Sequence, residues 1–526
     1  MKYSLLLDWR RVLVYSHRWL GIAGGVLFAA WFASGVVMMY ARMPRLTPEE
    51  RLMRAPGLDL TAARVAPAEA TQALSRTPDR VRVGMLGARP VYRLHDGRQW
   101  TTVFADTGEQ LSTLDAAGAV AIARAFAPEH ASTLRHDARV AEPDQWTLQI
   151  RALLPAHRIA LEDSHYTVLY VSEQSGEVVL KTTRTARTWG YLGAVVHWIY
   201  FTPIRRHSAF WTQLMIWTSI AGCILTVLGI AWGVWRYSPS SRFRLRRRHA
   251  HSPYAGWMRW HHYAGLIFGI ATLTWVFSGL LSMNPWDWSP GTGASEQQRR
   301  GVSGGPLALD AVSLDQLRTA AQRLGAVFPI KELEILRFRG EEYALAYRAP
   351  AMSSPAPARL GEPDEALASR IPLEHRLVSL GALHAAPFTE FDEPSLSSAA
   401  ADAMPGIAPE DVVRLHEYDA YYYDRQGALP LPVVRVRYRD AVGTWLYLSP
   451  ARGEILRKEE RRTRLNRWIY HGLHSLDFPG LYRQRPLWDV VVIVLSIGGV
   501  VVSLSSAPAA LRRLRRHWRR VRRWAR

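Results

Sequence analysis

One cysteine, Cys223, is all the thiol chemistry in this 526-residue chain. It can form no internal disulfide, no Cys-x-x-Cys-His attachment and no cysteine-ligated cluster. Folded parts outside a membrane must hold by packing alone, and Cys223 itself reads as a small apolar filler. Charge is missing elsewhere. Residues 20–40, 210–235, 264–283 and 490–504 contain no Asp, Glu, Lys or Arg. A hydrocarbon core of about 30 Å takes about 20 helical residues, so these read as four spans, the last extending past one end of 490–504. Acid is missing from three further pieces. Residues 236–260 carry seven arginines and 505–526 carry nine, with no acid in either. Residues 1–19 oppose four Lys or Arg with Asp8 alone. None of the three pieces contains Gly-x-Gly-x-x-Gly, and each is too short for a flavin or nicotinamide domain.

The position of the basic residues says what they are for. Most of the formal charge of +21 sits in the three acid-poor pieces, while the connections 41–210 and 285–487 carry only about +4 and −1. All three pieces fall on one side of a four-span arrangement, as the positive-inside rule requires. Both termini and the 236–260 loop are expected in the cytoplasm, with both long connections outside. Anionic headgroups, not nucleic acid, are the partners of these arginines. The first span is expected to be an uncleaved anchor, because its apolar run is long and its pattern returns later in the chain. The expected order is tail and span 1–40, outside domain 41–209, span 210–235, loop 236–260, span 261–284, outside domain 285–487, span 488–506 and tail 507–526.

The chain repeats itself. His17, Gly21, Gly25, Trp31, Ser34, Gly35 and Met39 recur 244 residues later as His261, Gly265, Gly269, Trp275, Ser278, Gly279 and Met283. At a spacing of 277, Arg184, Arg187, His197, Phe201, Trp211, Ser219, Ile220 and Gly222 recur as Arg461, Arg464, His474, Phe478, Trp488, Ser496, Ile497 and Gly499. Two copies of one unit bring their histidines together as pairs. His17 and His261 stand at the cytoplasmic ends of spans one and three, and His197 and His474 at the outside ends of spans two and four. Gly21 and Gly265 lie one turn along the same helical faces, which clears space for a flat ring against an axial imidazole. Two neutral imidazoles are strong haem-iron ligands and leave no open position, which favours electron transfer over oxygen chemistry. Non-covalent haem b is the expected cofactor, two per chain, with His17, His261, His197 and His474 as iron ligands. His471, three residues before His474, is the substitute if the register slips. His262 is a neighbour or proton partner.

The connections read as small α+β modules, roughly two per half. Strands run into turns at Trp100…Gly108-Glu109, Tyr166…Gly176-Glu177 and Thr444…Gly453-Glu454, where glycine supplies the positive φ a turn needs. Helices are expected over 114–126 and 310–324, and a flexible excursion over 353–365. Tyr421–Tyr423 and Trp286-Asp287-Trp288 are aromatic clusters that either line an acceptor site or pack a sheet.

The Gly-Glu turns, flanked by spans carrying His-x-x-x-Gly and Ser-Gly, resemble the PepSY-associated transmembrane family across essentially the whole chain. The pattern departs where Ala194 stands opposite His471. The resemblance implies an α-helical membrane protein with four transmembrane helices from an internal duplication and two α+β PepSY-like extracytoplasmic domains. Members are inner-membrane proteins, and the best understood resemble di-haem reductases of ferric siderophores in the periplasm. The implied activity is therefore transfer of electrons outward to a periplasmic ferric siderophore or similar chelate, supplied by quinol or a separate reductase. Two other functions compete. A siderophore or iron transporter would be expected to keep charged groups in mid-membrane, and these spans have none. A membrane-anchored PepSY regulator would not need two matched histidine pairs.

Overall fold

A computed structural model describes residues 9–74, 76–245, 248–349, 373–424 and 429–524. The expected excursion at 353–365 lies outside the described residues. Two compact units make up the chain, one from the ends and middle of the sequence and one from the two long connections.

Four helices in the first unit are long and apolar enough to cross a membrane. They are Trp9–Met38, Ser208–Arg236, Trp257–Ser282 and Leu487–Ser505, the last followed by an arginine-rich helix, Ala507–Trp524. This is a multi-pass membrane protein. The first and third helices begin well before their charge-free stretches, and the second and fourth extend past both ends of theirs. Asp489 enters the fourth helix in its first turn and is neutralised there by Arg485, with Tyr40 donating to it at 2.9 Å. Val26, Ile267 and Ile270 are 69–78% exposed, an apolar surface that only lipid covers at low cost. Between helices the contacts pair large residues with none: Phe28 faces Gly222, Phe32 faces Gly499 and Phe268 faces Gly498, each where a Cβ would collide. Lipid gives apolar side chains no incentive to leave it, so close backbone approach of this kind holds a membrane bundle together. The successive spans are neighbours, and the fourth closes against the first.

In the second unit the first connection forms β1 (Arg80–Leu86), β2 (Arg89–His95), β3 (Trp100–Phe104), β4 (Leu134–Val140), β5 (Ala156–Leu161), β6 (Val168–Ser172) and β7 (Val178–Thr182). After β8 (Phe243–Leu245) and β9 (Arg248–Ala250) of the basic loop, the second connection adds β10 (Glu332–Phe338), β11 (Glu341–Tyr347), β12 (His375–Ser379), β13 (Pro409–Leu415), β14 (Val433–Tyr438), β15 (Trp445–Ser449) and β16 (Glu454–Glu459). Gly108, Gly176 and Gly453 turn the chain at φ of +80°, +60° and +62°. Helices Ala116–Phe126 and Leu314–Gly325 form where the Ala- and Leu-rich segments indicated.

The two connections were expected as separate domains, yet they share a sheet. β4–β7 and β13–β16 each form a four-stranded antiparallel sheet, whereas β12-β11-β10-β1-β2-β3 is continuous, joined where β1 pairs antiparallel with β10. Its alternation explains the join. Val81, Val83, Leu333 and Ile335 are fully buried on one face with helix Leu314–Gly325. Arg80, Arg82, Glu332 and Glu334 project from the other. There Arg51 and Arg82 both bind Glu332 and Glu177, and Arg80 and Arg452 bind Glu334. Glu177 and Arg452 come from the Gly-Glu turns of the flanking sheets, so those turns close an ion network over the seam. Burial alone would raise the Glu334 carboxyl, but the Arg452 and Arg80 guanidiniums outweigh it and hold it at about 2.

Candidate functional site

His17 on the first span and His261 on the third face each other with ring centres 6.2 Å apart and planes 42° apart. His197 and His474 do the same at 6.0 Å and 69°. Each imidazole is held by its Nδ1. His17 Nδ1 bonds the Leu225 carbonyl at 3.0 Å, and His261 Nδ1 bonds the Val502 carbonyl at 2.9 Å. His197 Nδ1 bonds the Trp31 carbonyl at 3.1 Å, and His474 Nδ1 bonds the Trp275 carbonyl at 3.2 Å. Ser34 and Ser278 place their Oγ atoms 3.2 and 3.1 Å from the same two Nδ1 atoms. A carbonyl only accepts, so Nδ1 carries the proton in each ring and Nε2 keeps its lone pair, the tautomer a metal-bound imidazole requires.

These carbonyls belong to membrane helices, where the side chain four residues on normally shields them. Glycine removes the shield at three of the four. Gly35 follows Trp31, Gly279 follows Trp275 and Gly229 follows Leu225, and a Cβ at each would sit 3.5, 3.4 and 2.6 Å from Cε1 of the histidine bonded there. The Ser-Gly motifs thus present the exposed carbonyl and a hydroxyl to one imidazole. The second pair arrives on a different device. Tyr191–Val195 and Arg467–Gly472 are wide, π-helical turns just before His197 and His474, and the chain then reverses through left-handed Ile199 (φ +52°) and Leu476 (φ +53°). Residues other than glycine rarely accept that conformation, β-branched Ile199 least of all, and here it ends each helix and stops its histidine beside its carbonyl.

Around the first pair a cavity of 390 Å³ opens among all four spans, walled by Gly21, Gly25, Gly229, Gly265 and Gly269 with Phe28 and Ile230. A Cβ built on Gly265 meets nothing within 4 Å. A haem iron between two imidazoles needs about 2 Å to each nitrogen and about 1.2 Å more to each ring centre, roughly 6.4 Å in all. Both pairs match that span, and the glycine-walled cavity supplies a slot for a flat ring at the first. The residues fit haem. Among the described residues no group of three or more His, Cys, Asp or Glu is gathered for a bare metal ion.

Comparison with protein families matches residues 14–358 to the PepSY-associated TM region. The chain belongs to this family. A search of curated proteins finds no match.

Of the histidines weighed in the sequence of this PepSY-associated protein, the structure brings together His17 with His261 and His197 with His474. His262 is buried with both nitrogens engaged, 2.8 Å from Ser252 Oγ and 2.8 Å from the Gly233 carbonyl. The His471 ring lies tilted against Tyr470 with centres 4.3 Å apart, outside either pair. The tyrosine cluster is core: Tyr422 is fully buried and stacks on Tyr447. Trp286 stands 80% exposed just beyond the third span. Sequence reasoning missed Gly229. It breaks no pattern along the second span, and only the carbonyl partner of His17 reveals it. The partner carbonyls carry a legible signal, since Leu225 and Val502 stand 277 residues apart and Trp31 and Trp275 stand 244 apart, the two repeat spacings.

Proposed function

We propose that this chain is a haem-b-containing transmembrane electron-transfer protein that reduces a ferric chelate of the siderophore type outside the bacterial inner membrane. The observation that carries the reading is the matched pair of pairs: four imidazoles in two facing sets about 6 Å apart, each with Nδ1 tied to a helix carbonyl. His17 and His261 would hold one haem, His197 and His474 the other. Bis-imidazole haem supplies one-electron transfer with little change of geometry. The chain's residues supply the rest. The carbonyls fix each ring, the glycines admit the porphyrin and the apolar spans exclude water. Ser34 lies seventeen residues after His17 on the first span, about 25 Å along a helix. One site would therefore lie toward each face of the membrane, dividing a crossing too long for a single electron hop. Internal duplication would account for the repeated partners, and the arginine distribution supports a cytoplasmic position for the first pair and both termini. Quinol or a separate reductase would be the donor.

Purified protein should contain two haems, be reduced by dithionite, and be reoxidised by a ferric hydroxamate with ferrous iron appearing in a trap. Haem that is reduced yet not reoxidised faster by the chelate than by buffer would remove the reductase assignment. Protein purified without haem from haem-replete cells would remove the whole reading.

A further inference from the structure

The only charged residues lining the cavity around His17 and His261 are Arg18 and Arg513. Among the described residues neither has an acid to answer it. Helix Trp9–Met38 contains no Asp or Glu, nor does helix Ala507–Trp524, and no ion pair joins either arginine to an acid among the described residues. Arg18 rests over the Tyr15 ring at 4.9 Å. Arg513 lies near enough to Arg18 and Arg516 to be repelled by both. Like charges at the mouth of a low-dielectric cavity raise each other's energy, and a nearby anion lowers it.

The helix that carries Arg513 is shaped for the same cavity. Ser506, Ala509, Ala510 and Arg513 line it at the spacing of one helical face. Three small residues leave room, and the fourth brings a guanidinium to the rim. Arg18 follows directly after His17 on the first span. The cavity thus offers two imidazoles across a slot and two unanswered guanidiniums along one side.

We infer that Arg18 and Arg513 bind the two carboxylates of the ligand in this cavity, and so set which edge of the ring faces the arginine-rich end of the bundle. The inference rests on the haem reading of the first pair, for which the dianion is the propionate edge. A neutral quinone head would leave both cations unanswered. An anionic lipid headgroup would answer them from outside the cavity, and this is the alternative the test must separate.

The full-length protein, expressed without haem, is titrated in detergent with haem and with haem dimethyl ester, whose propionates carry no charge. A His474→Ala background confines the titration to the first pair. The parent should take up the free diacid at least about tenfold more tightly than the diester, as expected for two charge-assisted contacts. Arg18→Gln with Arg513→Gln should bind both compounds at the diester's affinity, and Arg18→Lys with Arg513→Lys should recover part of the preference. An unchanged preference in the double Gln variant overturns the assignment. So does a parent that does not discriminate, or variants that change only the response to anionic lipid in vesicles. If neither compound gives a low-spin spectrum with the parent, the haem reading of the first pair itself has failed.

Discussion

Gly229→Ala is a single methyl group with a calculable consequence. Built on the backbone, its Cβ lies 2.6 Å from Cε1 of His17 and 3.1 Å from Nδ1. Carbon atoms in ordinary contact stand about 3.5–4.0 Å apart, so the ring must withdraw by roughly 1 Å. Metal–nitrogen bonds tolerate about 0.2 Å. The His17 ring cannot make that move and keep both the Leu225 carbonyl and an iron. Gly279→Ala is the control: its Cβ would lie 3.4 Å from Cε1 of His474, a clash that a few tenths of an ångström relieve. Alanine also stabilises a helix interior by up to about 1 kcal/mol relative to glycine, so neither change should unfold its span. The assay is low-spin haem absorbance per protein. Gly229→Ala should lose the first site's share, about half of the total, and Gly279→Ala should retain nearly all. Equal spectra for the two variants would refute the placement of His17 over the second span.

Single alanine variants of the four histidines should fall into two classes, His17 with His261 and His197 with His474, each class losing one low-spin centre and sparing the other. A double variant within a class should look like its singles, because coupled ligands are not additive; His17→Ala and His197→Ala affecting one centre would show pairing within each half. Acid should loosen the seam between β1 and β10. Burial raises the Glu177 and Glu332 carboxyls, but Arg82 and Arg51 on both, with Arg93 on Glu177, hold them below their ordinary values, and Glu334 is held at about 2. A carboxyl depressed in the folded state adds stability above its unfolded pKa of about 4.3 and loses it as pH falls through the folded value. Hydrogen-exchange protection of the β1 and β10 amides, corrected for the pH dependence of intrinsic exchange, should therefore be flat from neutral to about pH 5 and fall below it, less steeply in Glu332→Gln; constant protection down to about pH 3 would contradict the network.

The spans and the histidine pairing were legible because both rest on patterns the sequence displays directly. Absence of charge over 20–40 and 264–283 marks a helix that lipid must cover, and two repeat spacings name the partners of His17 and His197 without coordinates. The shared sheet was not legible. Alternation in Arg80–Leu86 tells which side chains of β1 are buried but says nothing about which strand lies alongside, and Glu332–Phe338 is 254 residues from its partner. The glycines were half legible. Gly21 and Gly265 stood out through their spacing from histidine, whereas the work of Gly35, Gly229 and Gly279, uncovering a carbonyl for an imidazole on another segment, depends on the fold. His262 shows the converse: adjacent to a pairing histidine in sequence, it points away and spends both nitrogens on neighbouring polar groups.

The pairing of β1 with β10 also governs how the protein can be made. When β1 emerges, the strand that completes its sheet has not been synthesised, and two more membrane helices must be inserted first. At about 5–20 residues per second, 254 residues take roughly 10–50 s. Throughout that time β1 presents an open edge, with Val81 and Val83 on one side and Arg82 without Glu332 on the other. Open strand edges recruit other strands, and pairing this remote in sequence is slow to form. A ribosome stalled after the second span would thus release not half of a working protein but a membrane-tethered sheet with an unpaired edge, a natural substrate for the proteases and chaperones of its compartment.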